Sequence, residues 1–229
     1  VSQAEFDAYV DEYDAQHAQS VRLSGEDPDF FAEYKAKEAA RAMAAAGVHP
    51  RRIMDFGAGR GNCIAHLQRQ FPEAALTALD VSARSLTHCQ ARAIRPLETV
   101  CYDGQTLPFD DASFDLVFTA CVFHHIPEAD HIRLLAEIRR TLSPKGRFIL
   151  FEHNPWNPLT RHAVATCPFD ANAVLISAPE MRRRFRAAGF ADVDLRWTLF
   201  FPGFLAALRP LERGLGWLPL GAQYCLVAR

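Results

Sequence analysis

One stretch constrains the fold more than any other: Asp55-Phe56-Gly57-Ala58-Gly59-Arg60-Gly61. It ends the short apolar run Ile53-Met54-Asp55-Phe56, which predicts a strand. Cys63, Ile64, Leu67 and Phe71 follow at helical spacing. Glycines at a strand-to-helix junction let the backbone turn sharply and let a ligand come close to the main chain. A tight turn without a ligand would not need three glycines in five residues.

Strands and helices alternate on both sides of this loop. Asp27-Pro28 predicts a helix start, with Phe31, Tyr34 and Met43 behind it and a stop at Gly47. After the loop, strands are predicted over 75–80, 99–102, 114–120 and 147–151, and Phe114 to Ala120 is apolar enough to be buried on both faces. Ser82 caps a helix carrying Leu86, Cys89 and Ala93. Leu134, Leu135, Ile138 and Leu142 mark another, ended by Pro144-Lys145-Gly146. Ser177-Ala178-Pro179-Glu180 reads as a capping box before Met181, Phe185 and Ala188, and Gly189 closes that helix. Asp192 to Phe200 and Tyr224 to Ala228 complete the strands. The pattern predicts an α/β fold, a doubly wound, mostly parallel sheet with helices on both faces and an N-terminal helical cap.

Composition excludes several partners. The 229 residues carry a formal net charge of −2, and Arg182-Arg183-Arg184 is the densest basic cluster, so no nucleic acid is expected. No stretch nears the roughly 20 apolar residues of a membrane span. Val1 to Asp14 is acidic and has no signal-peptide pattern. The six cysteines show no C-x-x-C pair, so buried thiols in a reducing, cytoplasmic setting are expected.

Two ligand classes compete for the loop. A dinucleotide site wants G-x-G-x-x-G, but Asn62 stands at the third glycine position and the spacing is G-x-G-x-G. Asp55, two places before Gly57, suits a cationic amino group better than a pyrophosphate, and S-adenosylmethionine carries such a group and no phosphate. Asp80, ending the next strand, can accept from both ribose hydroxyls, a feature NAD shares. Val81 can lie on the adenine face. Asp103 can accept from an adenine amino group, or serve the Asp103-Gly104 turn.

At these residues the chain resembles the class I S-adenosylmethionine-dependent methyltransferases of small-molecule type. Asp55 to Gly61 is similar to that family's first motif, Leu79-Asp80-Val81-Ser82 to its ribose-binding second, and Asp103-Gly104 through Leu107-Pro108-Phe109 to its adenine-contacting third. Phe114-Asp115-Leu116-Val117 and Leu142-Ser143-Pro144-Lys145-Gly146 resemble the fourth-strand motif and the turn before strand five, with Lys145 where glycine is usual. The resemblance implies a seven-stranded sheet whose last strand is antiparallel, and direct in-line transfer of a methyl group; nothing in the sequence demands a metal. It divides a single domain, 1–229, into a cap (1–50), a Rossmann-like core (51–200) and an apolar insertion (201–223). The alternative is an NAD(P)-dependent oxidoreductase on a related fold.

The expected cofactor contacts are Asp55, Gly57, Ala58, Gly59, Gly61, Asp80, Val81, Asp103 and Gly104, with Cys121 and Phe123 near the methionine part and Lys35 pairing with the cofactor carboxylate. The catalytic candidates are His153, as a base titrating near neutrality, and His125, which matches a histidine common in the family. His124 and His125 are not expected to hold a metal, because adjacent side chains point apart and no carboxylate pattern completes a site. The insertion holds Phe204, Leu205, Leu208, Leu211, Leu215, Trp217, Leu218 and Leu220. A helix is predicted over 203–213, strained by Pro210. So much apolar surface suggests a small-molecule acceptor that is apolar or lipid-linked, or a membrane-surface or oligomer contact.

Overall fold

A computed structural model describes residues 13–229. The first twelve residues of the expected cap, with most of the acidic N-terminal stretch, lie outside the described residues. The chain forms α1 (Tyr13–Val21), α2 (Pro28–Ala45), β1 (Arg52–Phe56), α3 (Ile64–Gln70), β2 (Ala75–Asp80), α4 (Ala83–Arg92), β3 (Glu98–Cys101) and β4 (Phe114–Ala120). It continues through α5 (His131–Thr141), β5 (Leu142–His153), α6 (Pro158–Ala165), α7 (Ala178–Ala187), β6 (Val193–Thr198) and β7 (Gln223–Ala228).

The seven strands form one sheet in the order β3-β2-β1-β4-β5-β7-β6. Pairs from β3 through β5 are parallel, and β7 runs antiparallel to both β5 and β6. Side chains alternate across it. Met54, Phe56, Val117, Phe148, Leu150, Tyr224 and Leu226 pack with α5 and α7 on one face. Ile53, Leu116, Phe118, Ile149, Phe151 and Cys225 pack with α2, α3 and α4 on the other. Each fully buried Phe or Leu contributes roughly 1.5–3 kcal/mol, so the doubly covered centre dominates stability. The α/β, doubly wound reading and the antiparallel last strand both hold.

Local signals mostly act as chemistry dictates. Asp27 accepts the Phe30 N–H at 2.8 Å and Ser82 accepts that of Ser85 at 3.0 Å. On α2, Ala32, Lys35, Ala36, Ala39 and Met43 are buried, and the small side chains let the helix lie against the sheet. Four readings need correction. Ser177 makes no side-chain cap bond, and Glu180 pairs with Arg183 and Arg184 rather than reaching back to the cap. Leu142 belongs to β5 and not to the preceding helix. Segment 142–146 pairs through a register shift beside Phe114, which lets the strand absorb Pro144. The insertion forms 3-10 turns over Gly203–Gly214, kinked at Leu205 and interrupted by Pro210, with no residue buried. Cys101 is exposed and Cys121 half-buried, against the expectation of uniformly buried thiols.

Candidate active site

A cavity of about 600 Å³ opens where β1, β2, β4 and β5 end, the usual ligand crevice of such a sheet. The glycine loop forms one wall. Gly57, Gly59 and Gly61 all have positive φ (72°, 51° and 81°). The Gly57 and Ala58 N–H groups donate to the Leu79 carbonyl at 2.8 and 3.0 Å, pinning the loop to β2. A Cβ on Gly57 would lie 2.6 Å from Val122, whereas one on Gly59 would meet nothing within 4 Å. Asp80 closes this wall, accepting the Gly59 N–H at 2.8 Å and the Ser82 N–H at 2.9 Å. Asp55 lies behind, 3% exposed. Burial, with Asp80 adding to it, pushes Asp55 up to about 7. From α1, Asp14 reaches over the loop to Arg60 (3.3 Å) and Arg92 (2.7 Å).

The second half of the cavity is lined from distant segments. Cys121, at the end of β4, has φ +59° and receives Lys35 Nζ at 3.6 Å and Gln223 Nε2 at 3.4 Å. Burial opposes the Lys35 charge, but the Cys121 and Cys63 sulfurs and Glu152 outweigh it and raise its pKa. Gln223 Oε1 is buried with no hydrogen-bond partner among the described residues. Beyond Cys121, Glu152 accepts the Phe123 N–H and faces His124 Nδ1, each at 2.7 Å. Burial would lower His124, but Glu152 and Asp170 outweigh it and hold it at about 10, an imidazolium at neutral pH. Burial would raise Glu152, and His124 brings it down to about 2 instead. His153 is lowered by burial, then by the charge on His124, to about 4. Leu23, Phe30, Phe31, Leu159, Phe200 and Phe201 form the apolar mouth.

The Methyltransferase domain family model matches residues 53–146. Over 183 residues the chain is 31% identical to a malonyl-[acyl-carrier protein] O-methyltransferase of Geobacter sulfurreducens, covering 74% of this chain and 67% of that protein. The chain belongs to the class I S-adenosylmethionine-dependent methyltransferases. A fatty-acid O-methyltransferase of Mycolicibacterium smegmatis is 35% identical over 113 residues, 49% of this chain and 40% of that one. The chain spans less than half the length of several other curated methyltransferases it matches. An S-adenosylmethionine-dependent methyltransferase structure from Thermotoga maritima has the same fold, with TM-score 0.68, 19% identity, and coverage of 98% and 97% of the two chains. The oxidoreductase alternative falls with this assignment.

The residues of this methyltransferase fit the family's methyl donor. The space beside Gly59 is open, Asp80 sits at the strand end, and Lys35 and Gln223 Oε1 present buried polar groups to the cavity. Asp55, Gly57, Ala58, Gly59, Asp80, Val81, Asp103, Gly104, Cys121, Lys35, His125 and His153 all line it. Gly61 and Phe123 do not. A Cβ on Gly61 would strike Cys89 Sγ at 2.8 Å, so this glycine serves helix packing. Phe123 is fully buried against Phe56, His131 and Phe148, because the 3-10 turn after β4 rotates it into the core. Exposed Asp103 spends Oδ1 on the Gln105 and Thr106 N–H groups, which lower its pKa. His153 does not titrate near neutrality, for the reasons given. His124 and His125 do not point apart: their ring centroids are 4.1 Å apart. Sequence reasoning missed Asp170 and Gln223 outright. Glu152 carried a signal, a lone acid ending an apolar strand at the crevice.

Proposed function

We propose that this protein transfers a methyl group from S-adenosylmethionine to a small-molecule acceptor that is apolar or lipid-linked. The observation that carries the reading is one cavity with linings of two characters: the glycine loop with Asp80, and the apolar Phe30, Phe31, Phe200 and Phe201. Bound S-adenosylmethionine supplies a methyl on an already electrophilic sulfonium. The chain's own work is therefore positioning and water exclusion. Asp80 holds the ribose, Asp55 and Lys35 hold the two charged ends of the amino acid part, and Cys121 and Gln223 define the floor between donor and acceptor. His153 lines the cavity uncharged, a polar ring on its wall that burial makes a poor base at neutral pH. The fatty-acid and acyl-carrier relatives favour an acceptor of this class.

The cap, core and insertion divide this work. The insertion's Phe204, Leu211, Trp217 and Leu220 are exposed, which suits contact with a lipid surface. No described helix is long and apolar enough to cross a membrane. Six unpaired cysteines favour a cytoplasmic setting.

The test incubates the protein with methyl-labelled S-adenosylmethionine and either palmitate or glycine. Label extracted with the palmitate is expected. Label on glycine alone overturns the acceptor class, and absence of S-adenosylhomocysteine binding by calorimetry overturns the cofactor site.

A further inference from the structure

His124 and His125 follow β4 in a single 3-10 turn, Phe123–His125, that brings both imidazoles to one side. Asp170, from the turn Pro168–Asp170 after α6, completes a triangle with them. Its Oδ1 lies 3.6 Å from His124 Nε2 and 3.3 Å from His125 Nε2, and the three donor atoms lie within 4.8 Å of one another. A charge-assisted N–H···O bond closes to about 2.7–2.9 Å. The His124–Glu152 contact does so, at 2.7 Å. The two Asp170 contacts are longer. They match the edge of about 3.3 Å between donors arranged tetrahedrally at about 2.05 Å around an ion.

The surroundings support the same reading. Glu152 takes the Nδ1 side of His124, so Nε2 is the nitrogen turned toward Asp170, and a carboxylate behind an imidazole is what orients a metal ligand. Glu152 itself is fixed by the Phe123 N–H. Two carboxylates, Glu152 and Asp170, are 2% and 8% exposed here, and a dication balances both. His124, His125 and Asp170 line the cavity, so positions on the far side of an ion face its interior.

We propose that His124, His125 and Asp170 bind a divalent first-row transition ion in the acceptor half of the cavity. Two imidazoles with one carboxylate favour ions from Mn²⁺ to Zn²⁺ over Mg²⁺ or Ca²⁺. The ion would give the acceptor half an open coordination position suited to an oxygen-bearing head group, a hydroxyl or carboxylate, on an otherwise apolar acceptor. That role rests on the methyl-transfer reading; binding of the ion does not.

The full chain, stripped with chelator and dialysed, is titrated with Co²⁺ while visible absorbance is followed. S-adenosylhomocysteine affinity is measured on the same samples. One saturable site is expected, displaced by Zn²⁺ and weakened at least about tenfold by His125→Ala and by Asp170→Asn. Glu152→Gln weakens it by a similar factor, and circular dichroism confirms that each variant is folded. No saturation by about 1 mM Co²⁺, or binding that folded His125→Ala and Asp170→Asn both retain in full, overturns the ion site. S-adenosylhomocysteine binding without Co²⁺ binding leaves methyl transfer standing. Co²⁺ binding without S-adenosylhomocysteine binding does the reverse.

Discussion

The cofactor half of the cavity draws its groups from neighbouring strand ends and one loop, Asp55 through Gly104, whereas the acceptor half draws on segments spread along the whole chain. Its groups come from α1 and α2, the turn after β4, the end of β5, the turn after α6, the segment after β6, and the start of β7. In the first half, main-chain direction does most of the work: Gly57 and Ala58 are tied to Leu79, and Gly59 to Asp80. In the second, buried side chains of opposite charge hold one another, as Glu152, His124 and Asp170 do. A wall made of backbone tolerates little change in shape but is nearly independent of its surroundings. A wall made of paired side chains is adaptable in chemistry and fails when one partner is lost.

The sharpest way to break this contrast is Asp80→Ala, which removes the anchors of Gly59 and Ser82 together with the proposed ribose acceptor. S-adenosylhomocysteine affinity should fall about 100-fold by calorimetry, and an unchanged affinity would remove the cofactor half from the account. A paired comparison within the loop comes next. Gly57→Ala should cost about 2 kcal/mol of stability in denaturant unfolding, since its new methyl meets Val122 at 2.6 Å in a positive-φ conformation. Gly59→Ala meets no protein atom, so its larger loss should appear in cofactor affinity.

Proton linkage separates the halves more gently. Asp55 is pushed up to about 7 in the folded protein. In the unfolded chain it titrates at about 4. Its contribution to the stability of the free protein is therefore present in acid and lost as pH rises through about 7. On the proposed pairing of Asp55 with the cofactor's amino group, binding runs the other way, because a cationic amino group needs the carboxylate ionised. Affinity should be about tenfold weaker at about pH 6 than at about pH 8, and Asp55→Asn should flatten that dependence. The smallest expected effect lies at the rim. Phe204 and Trp217 are 77% and 72% exposed. Replacing both by serine should change stability by less than about 0.5 kcal/mol each while reducing cosedimentation with phosphatidylcholine vesicles. Unreduced cosedimentation would separate the rim from any lipid contact.

The same contrast explains what was legible in the sequence. The glycine loop and Asp80 could be read because a strand, a turn and a helix start lie within one short stretch, where spacing fixes geometry. Gly61 was the exception: its neighbour is Cys89 of α4, a tertiary contact. Phe123 and the two histidines were misread because a 3-10 turn, unlike an extended strand, carries Phe123 inward and both imidazoles together. Asp170 sits in Cys167-Pro168-Phe169-Asp170, where nothing local marks it; the contact beside it, Phe169 stacked on Tyr13 of α1 at 4.5 Å, is a tertiary one. The capping box at Ser177 had the right residue types, but two arginines on the same helix competed for its glutamate.

The position of β7 bears on how the chain assembles. It lies between β5 and β6, and β6 reaches the sheet through it alone. As the ribosome delivers the polypeptide, β6 emerges before the strand it must pair with. It has to wait, edge uncovered, for about thirty further residues' worth of synthesis at roughly 5–20 residues per second. Phe200 and Phe201, the part of the cavity wall carried on the intervening segment, cannot be fixed until β7 has been made, so that wall is assembled after the glycine loop.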